Sequence, residues 1–244
     1  MTNELTLDQI MDLTRGIPLT RNVLKTALAT ASPEQRAFIA DLLTAEHESR
    51  KRAKQDRLLR QAKFPVRKTL NNYDYSMITW PTGWQQSDLL SLDFITNHHD
   101  LVFYGDVGTG KTHLAIGLGH AACQAGYTTR FFTAASLIAF LRQAQDKGTL
   151  DAAITTIGKA KLIIIDEFGY LPIDITGARL LYQIIANAYE TQSIIYTSNL
   201  EFSRWGAILG DTNMAAAIID RTVHHGHILN FAGTSWRLTH STMK

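Results

Sequence analysis

The chain has 244 residues, of which 45% are hydrophobic and 19% are charged. This balance is ordinary for a globular protein and can supply the core of one domain, or of one domain with a small appendage. No stretch approaches the roughly 18 consecutive apolar residues of a membrane helix, and the acidic start lacks the basic segment of a secretory signal. The single cysteine, Cys123, excludes an internal disulfide, so we expect a soluble protein of the reducing cytoplasm.

The net charge of +2 hides an uneven distribution. A short window is strongly basic, with Asp56 as its one acid, and its basic residues are Arg50, Lys51, Arg52, Lys54, Arg57, Arg60, Lys63, Arg67 and Lys68. A block this concentrated predicts contact with a polyanion such as DNA, and a solvated helix face is the alternative explanation. The residues that we expect to contact DNA are Arg50, Lys51, Arg52, Lys54, Arg57 and Arg60.

Three helices are predicted in the first part of the chain. Thr6 and Thr20 each precede a short apolar-periodic run, and Ser32 begins the pattern Ser-Pro-Glu-Gln, which is typical of a capped helix start. The third helix can continue to about Lys63 because no helix breaker occurs before Pro65. These helices predict a small all-α N-terminal domain, residues 1–64, whose last helix carries the basic block.

The remainder, residues 65–244, is predicted to be an α/β domain. An irregular, aromatic stretch runs to Asp100, and strands and helices alternate after it. The predicted strands are Leu101–Tyr104, Thr129–Thr133, Lys161–Asp166, Ser193–Ser198 and His227–Phe231. Strands separated by helices such as Thr112–Ala125 and Ala178–Glu190 indicate a mainly parallel sheet with helices on both faces.

The first predicted strand is followed by a glycine-rich loop and then a helix, and the loop reads GDVGTGKT. This is the pattern of a P-loop, in which glycines let successive backbone N–H groups converge on phosphate oxygens at a helix N-terminus. Lys111 is expected to reach the β- and γ-phosphates of ATP, and the Thr112 hydroxyl is expected to bind Mg²⁺. The residues expected to contact ATP are Gly105, Asp106, Val107, Gly108, Thr109, Gly110, Lys111, Thr112 and His113.

Two later strands end in polar residues that complete the predicted catalytic site. Asp166 and Glu167 follow a buried apolar strand, and ligands of parallel sheets bind at that end. We expect Asp166 to order the Mg²⁺ shell and Glu167 to polarise the attacking water. Asn199 follows another buried strand and can bridge the γ-phosphate and the water. For each of these residues the alternative is a polar residue that merely ends a strand. Tyr73 and Tyr75 precede the P-loop, and the sequence is compatible either with contact to the adenine or with packing between domains.

Several segments in the same order resemble the IstB family, the ATP-binding helper proteins of bacterial insertion sequences. They are AEHESRKRAKQDRLLRQAKFPVRKTLNNYDYS, GDVGTGKTHLAIGLGHAACQAGY, LIIIDEFGYLP, IIYTSNLEFSRWG, MAAAIIDRTVHHGHIL and GTSWRL. The resemblance covers nearly the whole chain. It implies a P-loop NTPase of the AAA+ class, with a RecA-like parallel sheet, related to DnaC-type helicase loaders. About 13 residues follow the last predicted strand, which are too few for a sizeable C-terminal lid.

The resemblance also implies roles that spacing does not show. Arg221 matches an arginine finger offered to the ATP of a neighbouring subunit, which requires homo-oligomers, and Arg237 lies where a second phosphate-sensing arginine is expected. Members of the family are expected to assemble on duplex DNA with little sequence specificity, and to assist the transposase of their element. Asp106 and Val107 replace the Pro-Pro of many relatives, without loss of a required side chain.

Two other functions share the nucleotide motifs. A replicative helicase loader has a helicase as its partner, and the long basic helix with KFPVRKTL argues for transposition instead. A nucleotide-dependent DNA-binding scaffold with negligible turnover is the non-enzyme alternative, and Glu167 argues against it. His224, His225 and His227 are interpreted as structural because the sequence offers no third metal ligand at a sensible spacing.

Overall fold

The computed structural model describes residues 6–210, 212–233 and 235–236. Contacts between Cα atoms divide the chain into two compact units, residues 1–57 and residues 58–244. The boundary predicted from the sequence, after residue 64, lies seven residues beyond the one observed after residue 57. The difference arises at the end of the third helix, where Leu58 and Ala62 pack against Cys123 of the second unit.

The first unit consists of α1 (Leu7–Leu13), α2 (Arg21–Thr30) and most of α3 (Pro33–Ala62). Two predicted caps are present. Thr6 and Gln9 exchange hydrogen bonds between side chain and backbone, and Ser32 and Gln35 do the same over 2.9 and 3.3 Å. The helices enclose a small apolar cluster that consists of Ile10, Met11, Leu28, Ala40 and Leu43.

The second unit is built on six strands, and the bounds of the five predicted strands lie within one residue of those observed. The strands are β1 (Ile78–Thr79), β2 (Asp100–Gly105), β3 (Thr129–Thr133), β4 (Leu162–Asp166), β5 (Ser193–Ser198) and β6 (Gly226–Phe231). Their order in the sheet is β1-β6-β2-β5-β4-β3. All pairs are parallel except β1 with β6. The prediction of a mainly parallel sheet is confirmed.

Helices cover both faces of this sheet. They are α4 (Gln86–Leu90), α5 (Asp93–Thr96), α6 (Lys111–Ala125), α7 (Ala134–Asp146), α8 (Leu150–Ile157), α9 (Ile175–Ala188), α10 (Trp205–Ile208) and α11 (Thr212–His224), with a 3₁₀ turn at Phe202–Arg204. Successive residues of β4 face opposite clusters, because side chains alternate along a strand. Ile163 and Ile165 pack with α7 and α9, whereas Leu162 and Ile164 pack with α6.

Several helices and one strand were not predicted from the sequence. Two helices, α7 and α8, separate β3 from β4, and neither is among the helices named from the sequence. The stretch expected to be irregular, from residue 65 to 100, contains β1, α4 and α5, which are each five residues long or shorter. Elements of this length carry little periodicity. Among the described helices, none combines the length and the apolar character that a bilayer crossing requires.

Candidate functional site

The glycine-rich loop at residues 105–112 joins the end of β2 to the start of α6. Gly105, Gly108 and Gly110 have φ values of 148°, 86° and 94°, which residues with a side chain rarely adopt. Packing adds a second constraint. A Cβ at Gly105 would lie 2.2 Å from the Phe231 carbonyl oxygen, and one at Gly108 would lie 2.0 Å from Ser235 Oγ. This backbone path therefore requires glycine at these positions.

Lys111, the first residue of α6, is buried inside the loop. Its Nζ donates hydrogen bonds to the carbonyl oxygens of Gly105 and Asp106 at 2.7 and 2.6 Å. A buried ammonium group needs such partners, and here the loop itself supplies them. The positive charge thus lies at the N-terminus of α6, where the helix dipole also favours an anion. The arrangement fits a phosphate chain.

The end of β4 lies directly beside the start of α6. Thr112 Oγ1 donates to Asp166 Oδ1 over 2.8 Å, and Thr197 Oγ1, from the neighbouring strand β5, donates to the same oxygen. Asp166 is only 4% exposed. A hydroxyl and a carboxylate oxygen at this distance are the oxygen donors that Mg²⁺ prefers in phosphate sites. The residues present therefore fit a magnesium ion held between α6 and β4.

Glu167 leaves the strand in a left-handed conformation, with φ of 57°. Its N–H donates to Thr197 Oγ1 over 3.0 Å, so the hydroxyl of Thr197 fixes both members of the acid pair. The Glu167 side chain is exposed. It borders a cavity of about 370 Å³ that lies between α7 and residues 169–174. The structure thus separates the two carboxylates: one is buried at the loop and the other faces open space.

Asn199 has an unusual polar atom. Its Oδ1 is buried, and no hydrogen-bond partner for it exists among the residues that the structure describes. An unpaired buried acceptor costs about 1–3 kcal/mol, so such atoms commonly pair with water or a ligand. The neighbouring Ser198 is different, because its hydroxyl bonds to the carbonyl of Phe168 at 2.8 Å. Asn199 therefore offers an acceptor to a bound molecule.

Two segments distant in sequence contact the glycine-rich loop. The Trp236 N–H donates to the Gly108 carbonyl over 3.1 Å. On another side the Tyr73 hydroxyl donates to the Gly110 carbonyl over 3.3 Å, and its ring packs against His113 with centroids 5.3 Å apart. Burial raises the pKa of Tyr73 far above its usual value, so the phenol stays neutral. Arg237, the predicted phosphate sensor, lies outside the described residues.

Arg221 lies apart from the loop of its own chain. It is in the last turn of α11, and its guanidinium group lies over the rings of Tyr182 and Tyr189, 5.3 and 5.9 Å from their centroids. Four residues further along the chain, the His225 carbonyl accepts a hydrogen bond from Asp100 N–H at the start of β2. The glycine-rich loop follows the other end of that strand. Arg221 is therefore placed near the opposite edge of the sheet.

The predicted DNA-contacting residues are all exposed on α3. Two of them are engaged by acids on the same helix. Arg50 pairs with Glu46 at 2.5 Å and also donates to the Gly16 carbonyl, and Arg52 pairs with Glu48 at 3.0 Å. These contacts lower the local positive charge, which makes the basic block less uniform than the sequence suggested.

The structure places a possible third metal ligand beside two of the C-terminal histidines, although the sequence offered none at a sensible spacing. Glu190, which follows α9, lies beside His224 and His225. His225 lies in the turn before β6, so it does not share a strand face with His227. The sequence could not show the contact because 34 positions separate Glu190 from His224. Thr197 was missed for the same reason: its role depends on β4 and β5 being neighbours.

The fold and the site define the class of this protein. A parallel sheet with a P-loop after a central strand and an acid pair after another is the arrangement of AAA+ P-loop proteins. Solved structures agree. The DnaC helicase loader matches with a TM-score of 0.53 and 22% identity, covering 67% of this chain and 96% of that one. AMPPCP-bound DnaA from Aquifex aeolicus matches with a TM-score of 0.56 and 18% identity, over 72% and 53% of the two chains. These identities support the fold alone.

Sequence comparison then gives the family. The family described as IstB-like ATP binding protein matches residues 12–244, and the chain belongs to it. An ATP-binding protein of insertion sequence IS5376 from Geobacillus stearothermophilus is 40% identical over 82% of this chain and 80% of its own length. An ATP-binding protein of insertion sequence IS21 from Pseudomonas aeruginosa is 36% identical over 83% and 77%. The resemblance noted in the sequence is confirmed.

Proposed function

We propose that this protein is a cytoplasmic, Mg²⁺-dependent ATPase that assembles on duplex DNA and assists the transposase of an insertion sequence. The proposal that the protein hydrolyses ATP rests on one observation: Thr112 and Thr197 both donate hydrogen bonds to Asp166. Asp166 lies directly beside the P-loop, and Glu167 is the next residue in the chain. ATP binding itself follows from the family. Hydrolysis, DNA contact and self-assembly are the proposed additions.

The residues of the loop bind and orient the nucleotide. Lys111 leaves the carbonyl groups of its own loop and donates to the β- and γ-phosphates, and the backbone N–H groups around Gly108 and Gly110 hold the phosphate chain. Thr112 and Asp166 would hold Mg²⁺, and Thr197 fixes the carboxylate of Asp166. When bound, the metal ion neutralises charge that develops on the phosphate oxygens.

Glu167 and Asn199 act on the attacking water. The Glu167 carboxylate accepts a proton from it, and the hydrogen bond from Glu167 N–H to Thr197 fixes the backbone that carries this carboxylate. The unpaired Oδ1 of Asn199 accepts a hydrogen bond from the same water, which orients the water for attack. Because the two carboxylates have different surroundings, one binds metal while the other remains available for proton transfer.

Arg221 acts on a neighbouring subunit. Its position away from the P-loop of its own chain supports a role in trans, where its charge stabilises the transition state of phosphoryl transfer. A site that is completed by a second subunit makes turnover depend on assembly. The protein therefore forms homo-oligomers through the edge that carries α11.

The basic surface of α3 contacts DNA. Its exposed arginine and lysine side chains suit phosphate contacts, which position a protein on a duplex without reading its sequence. The two relatives named above come from insertion sequences. Because such elements move by means of a transposase, we infer that the partner of the DNA-bound assembly is the transposase of the same element.

A pair of measurements tests the proposal. ATP turnover is measured with and without duplex DNA, and purified protein is captured by tagged transposase or by tagged replicative helicase. We expect DNA-stimulated turnover and capture by the transposase. Capture by the helicase alone would favour the loader, the second candidate, whose fold the DnaC structure shares. Absence of turnover with DNA would favour a scaffold that only binds nucleotide.

A further inference from the structure

Three side chains with metal-binding groups meet at the edge of the sheet where β5 and β6 begin. Glu190 follows α9, His224 ends α11, and His225 lies between α11 and β6. One ligand atom from each lies within 4.8 Å of the other two. This edge is opposite the P-loop, because the His225 carbonyl is bonded to the first residue of β2, whereas the P-loop begins at its last.

We propose that Glu190, His224 and His225 form a Zn²⁺ site that is separate from the nucleotide site. The geometry is close to what zinc requires. His225 Nε2 and Glu190 Oε1 are 3.6 Å apart. Two ligands at about 2.0–2.1 Å from a tetrahedral zinc ion are separated by about 3.4 Å. Small side-chain rotations therefore bring three ligands into place, and the fourth position remains for water.

The chemistry of the three groups selects the kind of ion. Two imidazoles and one carboxylate suit zinc and similar transition metals, whereas Mg²⁺ prefers oxygen ligands and keeps much of its water. The Mg²⁺ that accompanies ATP therefore does not compete effectively for this site.

The backbone at Glu190 is consistent with a ligand role. Its φ is 59°, a left-handed conformation that follows the C-terminus of α9. Glycine is the common residue at such a position, because a side chain makes the conformation unfavourable. The sequence instead has a glutamate there, and its carboxylate lies next to both histidines.

An outer partner holds one of the histidines. The Tyr189 hydroxyl is 2.9 Å from His224 Nδ1, which leaves Nε2 of that ring for the metal. Zinc-binding histidines usually have such a partner on their other nitrogen, and it fixes the orientation of the ring. The Tyr189 ring also faces Arg221, with 5.9 Å between the guanidinium carbon and the ring centroid. A bound zinc ion thus ties the turn after α9 to the last turn of α11.

Zinc affinity is the first test. Untagged full-length protein, without nucleotide, competes with a chromogenic chelator for Zn²⁺. We expect one tight site, at least a tenfold loss of affinity in each of Glu190→Gln, His224→Ala and His225→Ala, and a loss of about 10–100-fold in Tyr189→Phe. His47→Ala, in the first unit, is the matched control. Equal affinity of the parent and the three ligand variants would overturn the proposal.

A second test uses the backbone at Glu190. Glu190→Gly removes the ligand and also relieves the left-handed conformation, so in EDTA this variant should melt at or above the temperature of the parent. Zn²⁺ should raise the melting temperature of the parent and leave that of the variant unchanged. An equal rise in both would overturn the site. His99 and His227 form a neighbouring pair of rings, with 3.3 Å between their nitrogen atoms. If zinc binding were lost in His99→Ala/His227→Ala but kept in the variants of the three proposed ligands, the ion would bind at that pair and the proposed site would be wrong.

Discussion

Thr112 Oγ1 and Asp166 Oδ1 are 2.8 Å apart, although 54 positions separate the two residues in the chain. One belongs to the helix that receives the phosphate chain and the other to the strand that delivers the acid pair. Thr197 joins them from a third element. The two strand ends and the helix N-terminus are thereby held in a fixed arrangement before any ligand binds, which reduces the ordering that nucleotide binding must supply.

The hydroxyl of Thr197 should be needed for turnover. Thr197→Val keeps the shape of the side chain but removes both the bond to Asp166 and the acceptor for Glu167 N–H. We expect a loss of about 1–3 kcal/mol in the free energy of unfolding, and a fall in kcat of about tenfold or more from the misplaced acids. Thr197→Ser, which keeps the hydroxyl, is the control. Parent-like kcat in the valine variant would show that this contact does not position the acids.

Gly108→Ala should weaken nucleotide binding. The added methyl group would meet Ser235 Oγ at 2.0 Å, and the backbone has φ of 86°. We expect the Kd for ATP to rise at least tenfold, or about 1.4 kcal/mol, because the loop must shift. Gly148→Ala is matched in backbone, with φ of 68°, and its added methyl group meets nothing within 4 Å. It should cost stability alone. Equal ATP affinity in the two variants would contradict the prediction.

Arg221 should complement a neighbour's site. Arg221→Ala and Lys111→Ala proteins should each lose turnover, the former by about 10³-fold or more. An equal mixture should recover up to roughly a quarter of the parent rate, because that fraction of interfaces pairs an intact P-loop with an intact arginine. A Lys111→Ala/Arg221→Ala double variant is the control partner and should rescue nothing. If the mixture stays inactive, the role in trans is wrong.

The basic residues of α3 should contribute unequally to DNA binding. Lys51 and Lys54 are exposed, and no ion pair involves either within the described part of the chain, whereas Arg50 and Arg52 pair with Glu46 and Glu48. Lys51→Ala/Lys54→Ala should therefore reduce the slope of log K against log salt by about 2. Changing all four basic residues to Ala should sharply reduce duplex binding.

Two controls accompany the DNA measurement. Glu46→Gln/Glu48→Gln frees the arginines and should strengthen binding to duplex DNA. ATP affinity should be unchanged in every one of these variants, because the changes lie in the first unit. Unaltered retention of duplex DNA by the fourfold alanine variant would remove this role from the basic block.

The sequence predicted those features that depend on local patterns. Each such feature can be recognised from a few neighbouring residues, as in the glycines before Lys111, the apolar run before Asp166 and the Ser32 cap. The structure reproduces the predicted strands and the cap. Features that depend on which strands are neighbours could not be predicted. Thr197 reaches Asp166 only because β5 lies beside β4, and Glu190 reaches His224 only because two helices end together.

Turnover by Glu167→Gln protein, measured beside nucleotide binding, tests the account most directly. With Mg²⁺, ATP and duplex DNA, the variant should bind ATP as tightly as the parent and remain assembled, while phosphate release falls by about 10²-fold or more because no group accepts the proton of the water. Lys111→Ala protein should lose binding as well. Phosphate release at the parent rate in either variant would contradict the claim that ATP is hydrolysed between this loop and this acid pair.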